Sequence, residues 1–87
     1  MDQKLNQLLE QLYIFLRDQG FSAQSETIRK LIYCVEINDV KKFRKEFKSS
    51  MIWGGVGSIR DIDLRDREKQ NKLNVYMKEL KELGSKV

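Results

Sequence analysis

The chain has 87 residues, of which 40% are hydrophobic and 34% are charged, and its formal net charge is +4. This size and composition are typical of a single soluble globular domain and exclude a disordered chain. The sequence has no histidine and one cysteine. It therefore excludes Ser–His and Cys–His nucleophile pairs, histidine metal sites, a structural zinc site and an internal disulfide.

The hydropathy of the chain and its first residues predict a cytoplasmic protein. The sequence lacks a run of about 18 apolar residues, the length that a membrane span requires. Its first residues, Met1, Asp2 and Gln3, are acidic and polar, whereas a secretory signal begins with a basic and then an apolar segment. The lone Cys34 fits a reducing compartment.

Apolar residues recur at intervals of three and four and predict an all-α fold. We expect a small bundle of four main helices with a glycine-rich loop before the last one. Short connections between the first three helices favour antiparallel neighbours. The predicted single domain, 1–87, has helices at about 3–19, 22–37, 39–49 and 65–83, a glycine-rich loop at 50–58 and a short helical turn at 59–64.

Residues with known capping preferences mark the ends of the first three helices. Gly20 stands where a left-handed residue would end the first helix. Ser22 is expected to cap the second helix through its hydroxyl group. Asn38 or Asp39 is expected to end the second helix and to cap the third.

The glycine-rich stretch "SSMIWGGVGSIRD" is interpreted as a turn and not as a phosphate site. A dinucleotide-binding loop needs G-x-G-x-x-G after a strand, whereas here Arg60 stands in place of the third glycine and a helix precedes the loop. Asp61 and Asp63 would also repel an anion. We expect the three glycines to supply positive φ angles, Ser58 to cap a short helix, Ile59 and Ile62 to face the core, and Met51 and Trp53 to cover the open end of the bundle.

The same stretch resembles a family of small bacterial helical proteins that is known only as a domain of unknown function. In that family a Gly-Gly-Met-Gly-Ser segment and an Asp–hydrophobic–x–hydrophobic segment follow two or three helices. The resemblance covers roughly residues 5–64, with Val56 in place of the methionine. It implies a helical fold without a known activity, and a role as an immunity or accessory protein in bacterial toxin loci. The matching residues are Gly54, Gly55, Gly57, Ser58, Asp61, Ile62 and Leu64.

A second segment, "LYIFLRDQGFSAQSETIRKL" at residues 12–31, is similar to the LisH dimerisation motif. That motif is a short helix pair joined by a turn that contains glycine and an aromatic residue, here Gly20 and Phe21. The resemblance implies a helical hairpin that takes part in dimer formation.

Cys34 is the only side chain that suggests covalent catalysis. It lies at the edge of the apolar stripe of the second helix, and no base accompanies it in the sequence. We interpret it as a small packing residue because a reactive cysteine needs a group that stabilises its thiolate. The chain is therefore predicted not to be an enzyme and to hold no cofactor or metal.

Several apolar residues lie off the stripes of their helices and suggest a binding surface. At 100° per residue, Ile14, Tyr33, Ile37 and Val75 point away from the apolar stripes, and a contiguous exposed apolar patch marks an interaction site. Helices buried on two sides would equally account for them. We predict a protein–protein interaction module that binds another protein or itself, as a homodimer. The predicted contact residues are Ile14, Tyr33, Trp53, Arg60 and Val75.

The alternative function is weak nucleic-acid binding through the third helix. Residues 41–48 carry a net charge of +4 and residues 65–87 carry +3, whereas residues 1–40 carry −2. Basic side chains can neutralise phosphates without sequence preference. A solvated basic face is the other interpretation. The residues concerned are Lys41, Lys42, Arg44, Lys45 and Lys48.

Overall fold

The computed structural model describes residues 2–87, and these residues are 74% helical with no strand. This confirms the predicted all-α small bundle. The helices are α1 (Gln3–Asp18), α2 (Ser22–Glu36), α3 (Val40–Phe47), α4 (Ser50–Trp53) and α5 (Arg67–Gly84), and a 3₁₀ turn lies at Ile59–Asp61.

Helices α1, α3 and α5 are each capped by the aspartate just before their first residue. The carboxylates of Asp2, Asp39 and Asp66 each accept a hydrogen bond from a backbone N–H in the first turn, at 2.9 to 3.0 Å. These bonds satisfy donors that have no partner within the helix and place negative charge at its positive end. Asp39 is therefore the cap of α3, and Asn38 precedes it in a left-handed conformation with φ 55°.

The prediction that Ser22 caps α2 is wrong. The N-cap position is occupied by Phe21, whose side chain makes no capping hydrogen bond. Ser22 is the first residue of the helix, and its carbonyl oxygen accepts a hydrogen bond from Ser25 Oγ at 2.7 Å. Gly20 turns the chain tightly, with φ 86°, and α2 begins at Ser22. Capping by Ser22 would require the helix to begin at residue 23.

Helix α1 is central to the bundle because it packs on both α2 and α5, while α3 packs on α2. Its core residues recur at intervals of three and four, so that one wide stripe serves both neighbours. None of the helices within residues 2–87 combines the length and apolarity needed to cross a bilayer. The fully buried apolar residues are Leu5, Leu9, Leu12, Leu16, Ile28, Leu31, Cys34, Phe43, Ile52, Ile59 and Leu80.

The predicted loop at 50–58 contains the short helix α4. Ser49 Oγ accepts a hydrogen bond from the N–H of Met51 and so caps a new helical turn. This turn buries Ile52 and leaves Met51 45% exposed. The expectation that Met51 covers the end of the bundle is therefore wrong, because Ile52 takes the inward position.

The glycines after α4 have different conformations. Gly55 and Gly57 have φ angles of 80° and 87°, as predicted, whereas Gly54 is extended with φ −135°. Ser58 Oγ accepts a hydrogen bond from the N–H of Asp61 at 3.2 Å and caps the 3₁₀ turn, as predicted. That turn ends at Asp61 and not at residue 64, because Ile62 is extended.

Two glutamines hold the connection between α4 and α5 against the bundle. Gln24 Nε2, on α2, donates to the Gly57 carbonyl oxygen at 3.0 Å. Gln70, on α5, accepts from the N–H of Leu64 at 2.6 Å and donates to the Ile62 carbonyl oxygen at 3.3 Å. The predicted start of the last helix at residue 65 is wrong, because the helix begins only after its cap at Asp66, and residues 65 and 66 belong to this connection.

Candidate protein-binding surface on helices α1 and α5

The apolar residues that lie off the helix stripes are at the surface. Ile14 is 47% exposed, Tyr33 52%, Ile37 48% and Val75 54%. Two-sided burial of their helices, the alternative interpretation, therefore does not apply. Because these side chains lie on several helices, they share a surface only where those helices are neighbours.

A continuous groove runs between α1 and α5. At one end it has a volume of ≈ 510 Å³ and lies between residues 11–19 of α1 and residues 69–76 of α5. At the other end it has a volume of ≈ 380 Å³ and lies between residues 4–11 and residues 79–83. Gln11 lines both ends. From the first end of the groove to the second, residue numbers fall along α1 and rise along α5, so the two helices are antiparallel. We call this surface the α1–α5 groove.

Two aromatic rings form part of the wall of this groove. Phe15 and Tyr76 meet edge to face, with ring centroids 5.7 Å apart and an interplanar angle of 71°. Lys72 Nζ lies 5.8 Å from the centroids of both rings. At this distance an ammonium group is attracted to the ring faces, so Lys72 is held at the groove. The result is a fixed aromatic wall with a cation beside it.

Exposed apolar side chains lie on both sides of the α1–α5 groove. Ile14 lines it directly from α1. Val75 is three residues after Lys72 and four before Glu79, and both of those side chains line the groove. Residues three and four apart are neighbours on a helix surface, so Val75 lies next to the groove. The structure therefore brings two of the predicted contact residues, Ile14 and Val75, to one surface.

The two ends of the α1–α5 groove differ in charge. Lys69 and Lys72 line one end, and Glu79 and Glu82 line the other. None of these four residues makes an ion pair within 4.0 Å among residues 2–87. Asp18, at the basic end, lies 3.7 Å from Arg17, and both side chains are more than half exposed. On α5, therefore, two lysines stand at one end of the groove and two glutamates at the other, while on α1 the signs are reversed, with Asp18 beside the lysines and Lys4 beside the glutamates.

The remaining predicted contact residues lie elsewhere. Tyr33 lines a groove between α2 and α3, where Lys42 Nζ is 5.5 Å from its ring centroid. Trp53 is half-buried, and its indole Nε1 donates to the Phe47 carbonyl oxygen at 2.7 Å. Arg60 is exposed and lines a small polar pocket together with Trp53. Trp53 and Arg60 are therefore close to each other but do not line the α1–α5 groove.

Some basic residues of α3 contact other parts of the chain and others do not. Arg44 Nε donates to a main-chain oxygen of Val87 at 2.9 Å, and Lys42 lies over the Tyr33 ring. Lys41, Lys45 and Lys48 are exposed and make no ion pair within the part of the chain that the structure describes. Phe43 is buried and Phe47 is partly buried against the core, so neither ring is a platform for stacking bases.

Sequence reasoning missed several residues that shape these surfaces. Phe15 and Tyr76 were not recognised as the wall of a groove, although Phe15 widens the apolar stripe of α1 next to Leu16. Val56 is completely exposed between the left-handed Gly55 and Gly57. The position of Val56 between two glycines of a turn could have indicated this exposure from the sequence.

Cys34 is completely buried. Burial raises the pKa of the Cys34 thiol above its usual range, and the nearby positive charge of Lys42 opposes this shift only in part. A buried thiol with a raised pKa is a poor nucleophile. Within residues 2–87 no three His, Cys, Asp or Glu side chains come together as potential metal ligands.

Comparisons with known proteins do not identify the chain. No protein-family model, curated protein or solved structure matches it. The resemblances at residues 5–64 and 12–31 therefore stay predictions. A functional assignment depends on the surface of the molecule itself.

Proposed function

We propose that this chain is a protein-binding module without catalytic activity and that its contact surface is the α1–α5 groove. The observation that carries the proposal is the pair of half-exposed apolar residues, Ile14 and Val75, beside an aromatic-walled groove. Fully burying such a side chain stabilises a complex by about 1.5–3 kcal/mol, and each of these is about half exposed when free. Together they offer a partner roughly 2 kcal/mol of apolar burial.

The groove has the features of a protein interface. Interfaces are enriched in aromatic side chains at their centre and carry charged residues at their rim. Here Tyr76 stands between Lys72 and Glu79 along α5, and the largely buried Phe15 packs against its ring. The partner is another protein or a second copy of this chain, in the cytoplasm. A role as an immunity or accessory protein in a bacterial toxin locus is part of this proposal and rests on the resemblance of residues 5–64.

The proposal is tested by isolating the tagged chain from its source cells after nuclease treatment and at about 0.4 M salt, where exposed charges are largely screened. We expect a protein partner, another protein or an untagged copy, to be recovered when the contact is fixed with a chemical crosslinker before the isolation. Ile14→Asp and Val75→Asp should remove it because each places a charge in an apolar contact. Ile37→Asp is the matched control, since Ile37 is equally exposed and lines no part of the groove.

Two results would contradict the assignment. Retention of the partner by both Ile14→Asp and Val75→Asp, with helical content unchanged, would show that the groove is not the contact surface. Loss of the partner only in Ile37→Asp would place the contact on α2.

A second candidate function is nucleic-acid binding through α3, favoured by the three exposed lysines that make no ion pair. In an isolation without nuclease and at low salt it predicts recovery of nucleic acid, which is lost when nuclease or about 0.4 M salt is added. The variant Lys41→Glu, Lys45→Glu, Lys48→Glu would then bind none, whereas Ile14→Asp would bind normally. Three phosphate contacts would give a slope of about −2.7 in a plot of log affinity against log salt concentration.

A further inference from the structure

We propose that the partner at the α1–α5 groove is a second copy of this chain, related by a twofold axis that crosses the groove at right angles near Gln11. In this arrangement each helix packs antiparallel against its own counterpart. The basic end of one groove then faces the acidic end of the other. This inference rests on the proposed function and names the partner of the same surface.

The charges of α5 are arranged symmetrically, with opposite sign, about one point of the helix. Lys72 and Glu79 stand at equal distances from the bond between Val75 and Tyr76, and so do Lys69 and Glu82. All four line the α1–α5 groove. When two such helices pair antiparallel about that point, Lys72 of each copy faces Glu79 of the other, and Lys69 faces Glu82.

Helix α1 has the same arrangement about Gln11. Lys4 lies seven residues before Gln11 and Asp18 seven residues after it, and both line the groove. Because α1 and α5 are antiparallel, Gln11 lies at the level of Tyr76, so one axis serves both helices. Antiparallel pairing of α1 with its own counterpart thus opposes Lys4 to Asp18. Across this contact the facing charges of both helices are therefore of opposite sign.

The apolar and polar groups near the axis fit a self-complementary contact. In a twofold interface the residues on the axis meet their own copies. Val75 would contact Val75 of the second copy, because Val75 lies within one residue of the axis. The Gln11 side chain has both a donor and an acceptor, so two copies can hydrogen-bond each other. Val75, which is 54% exposed in the free chain, thereby gains an apolar contact.

The size of the surface predicts a dissociable dimer. With 1.5 Å per residue, α1 is about 24 Å and α5 about 27 Å long, and two adjacent helices are about 20 Å wide. The projected area is therefore on the order of 500 Å² per copy, below the typical 800 Å² per partner of a stable complex. Sedimentation velocity at chain concentrations from about 10 µM to about 1 mM covers the dissociation constants expected for such an interface.

The test exchanges charges at the two ends of the groove. The basic-end variant is Lys69→Glu, Lys72→Glu, and the acidic-end variant is Glu79→Lys, Glu82→Lys. Each variant alone opposes like charges at both ends, and we expect its dimer to be at least tenfold weaker than that of the unmodified chain. An equimolar mixture should form a heterodimer, since every pair is then of opposite sign. The chain with all four substitutions should again form a homodimer.

The matched control for the basic-end variant is Lys78→Glu, Lys81→Glu. It changes the same number of charges on α5 at positions that do not line the groove, and its dimer should be unchanged. Circular dichroism should show equal helical content in all variants. A monomer at every concentration of the unmodified chain would overturn the inference, as would dimerisation of both end variants with the same affinity as the unmodified chain.

Failure of this inference can be distinguished from failure of the proposed function. If the unmodified chain stays monomeric while Ile14→Asp still loses a different protein from the source cells, only the identity of the partner is wrong. If neither Ile14→Asp nor Val75→Asp loses a partner in the isolation, the groove itself is not the binding surface.

Discussion

Replacing Phe43 with alanine is expected to lower the free energy of unfolding by about 3–5 kcal/mol, the range for truncating a buried phenylalanine. Phe43 is completely buried on α3 and stacks on Phe47, with ring centroids 5.7 Å apart. It is the largest of the fully buried side chains. Because a domain of this size is stable by only about 5–15 kcal/mol, this one truncation removes a large share of the total.

The measurement is thermal and urea unfolding followed by circular dichroism. A loss of 3 kcal/mol lowers the melting temperature by about 12 °C or more in a domain of this length. Lys41→Ala, an exposed position on the same helix, is the control and should change the stability by less than about 0.5 kcal/mol. A loss below about 1 kcal/mol for Phe43→Ala would contradict the packing described here.

Gly84→Ala is expected to destabilise the fold, by about 1–3 kcal/mol, although alanine is the better helix former. Gly84 is buried near the end of α5, and a Cβ atom there would overlap the ring of Phe47. The Phe47 ring is confined by its stacking on Phe43 and by an edge contact with Trp53, whose ring centroid lies 5.4 Å from that of Phe47. The overlap therefore cannot be relieved by rotating one free side chain.

A double-mutant cycle isolates this effect. In the background of Phe47→Leu, where the ring is absent, Gly84→Ala should be neutral or stabilise the helix by up to about 1 kcal/mol. Unfolding of all four chains in urea gives the coupling energy between the two positions. Stabilisation by Gly84→Ala in the unmodified chain would show that α3 and α5 do not meet in this way.

The helices were predictable because each follows from local sequence. The spacing of Leu5, Leu8, Leu12 and Leu16 indicates one face of α1, and the off-stripe positions of Ile14 and Val75 indicate their exposure. Asp39 has the side chain that an N-cap needs. Helix α4 was missed because Gly54 and Gly55 follow its last residue directly, and a single helical turn has too few residues to show a period.

The α1–α5 groove was not predictable because it depends on which helices become neighbours. Residues 4–19 and 69–83 are far apart in the sequence, and nothing in either segment specifies the other as its neighbour. Pairing of α1 with α5 follows from the packing of the whole core. The symmetric charges of α5 are visible in the sequence, yet they acquire meaning only when they line one groove with the charges of α1.

The most direct test of the central claim, that the α1–α5 groove binds a protein, is site-specific photocrosslinking in the source cells. A photoreactive amino acid replaces Ile14 in one chain and Ile37 in the control, two isoleucines of nearly equal exposure. The account predicts a protein adduct of defined mass at position 14 and none at position 37. An adduct at position 37 alone, or no protein adduct at position 14, would contradict it.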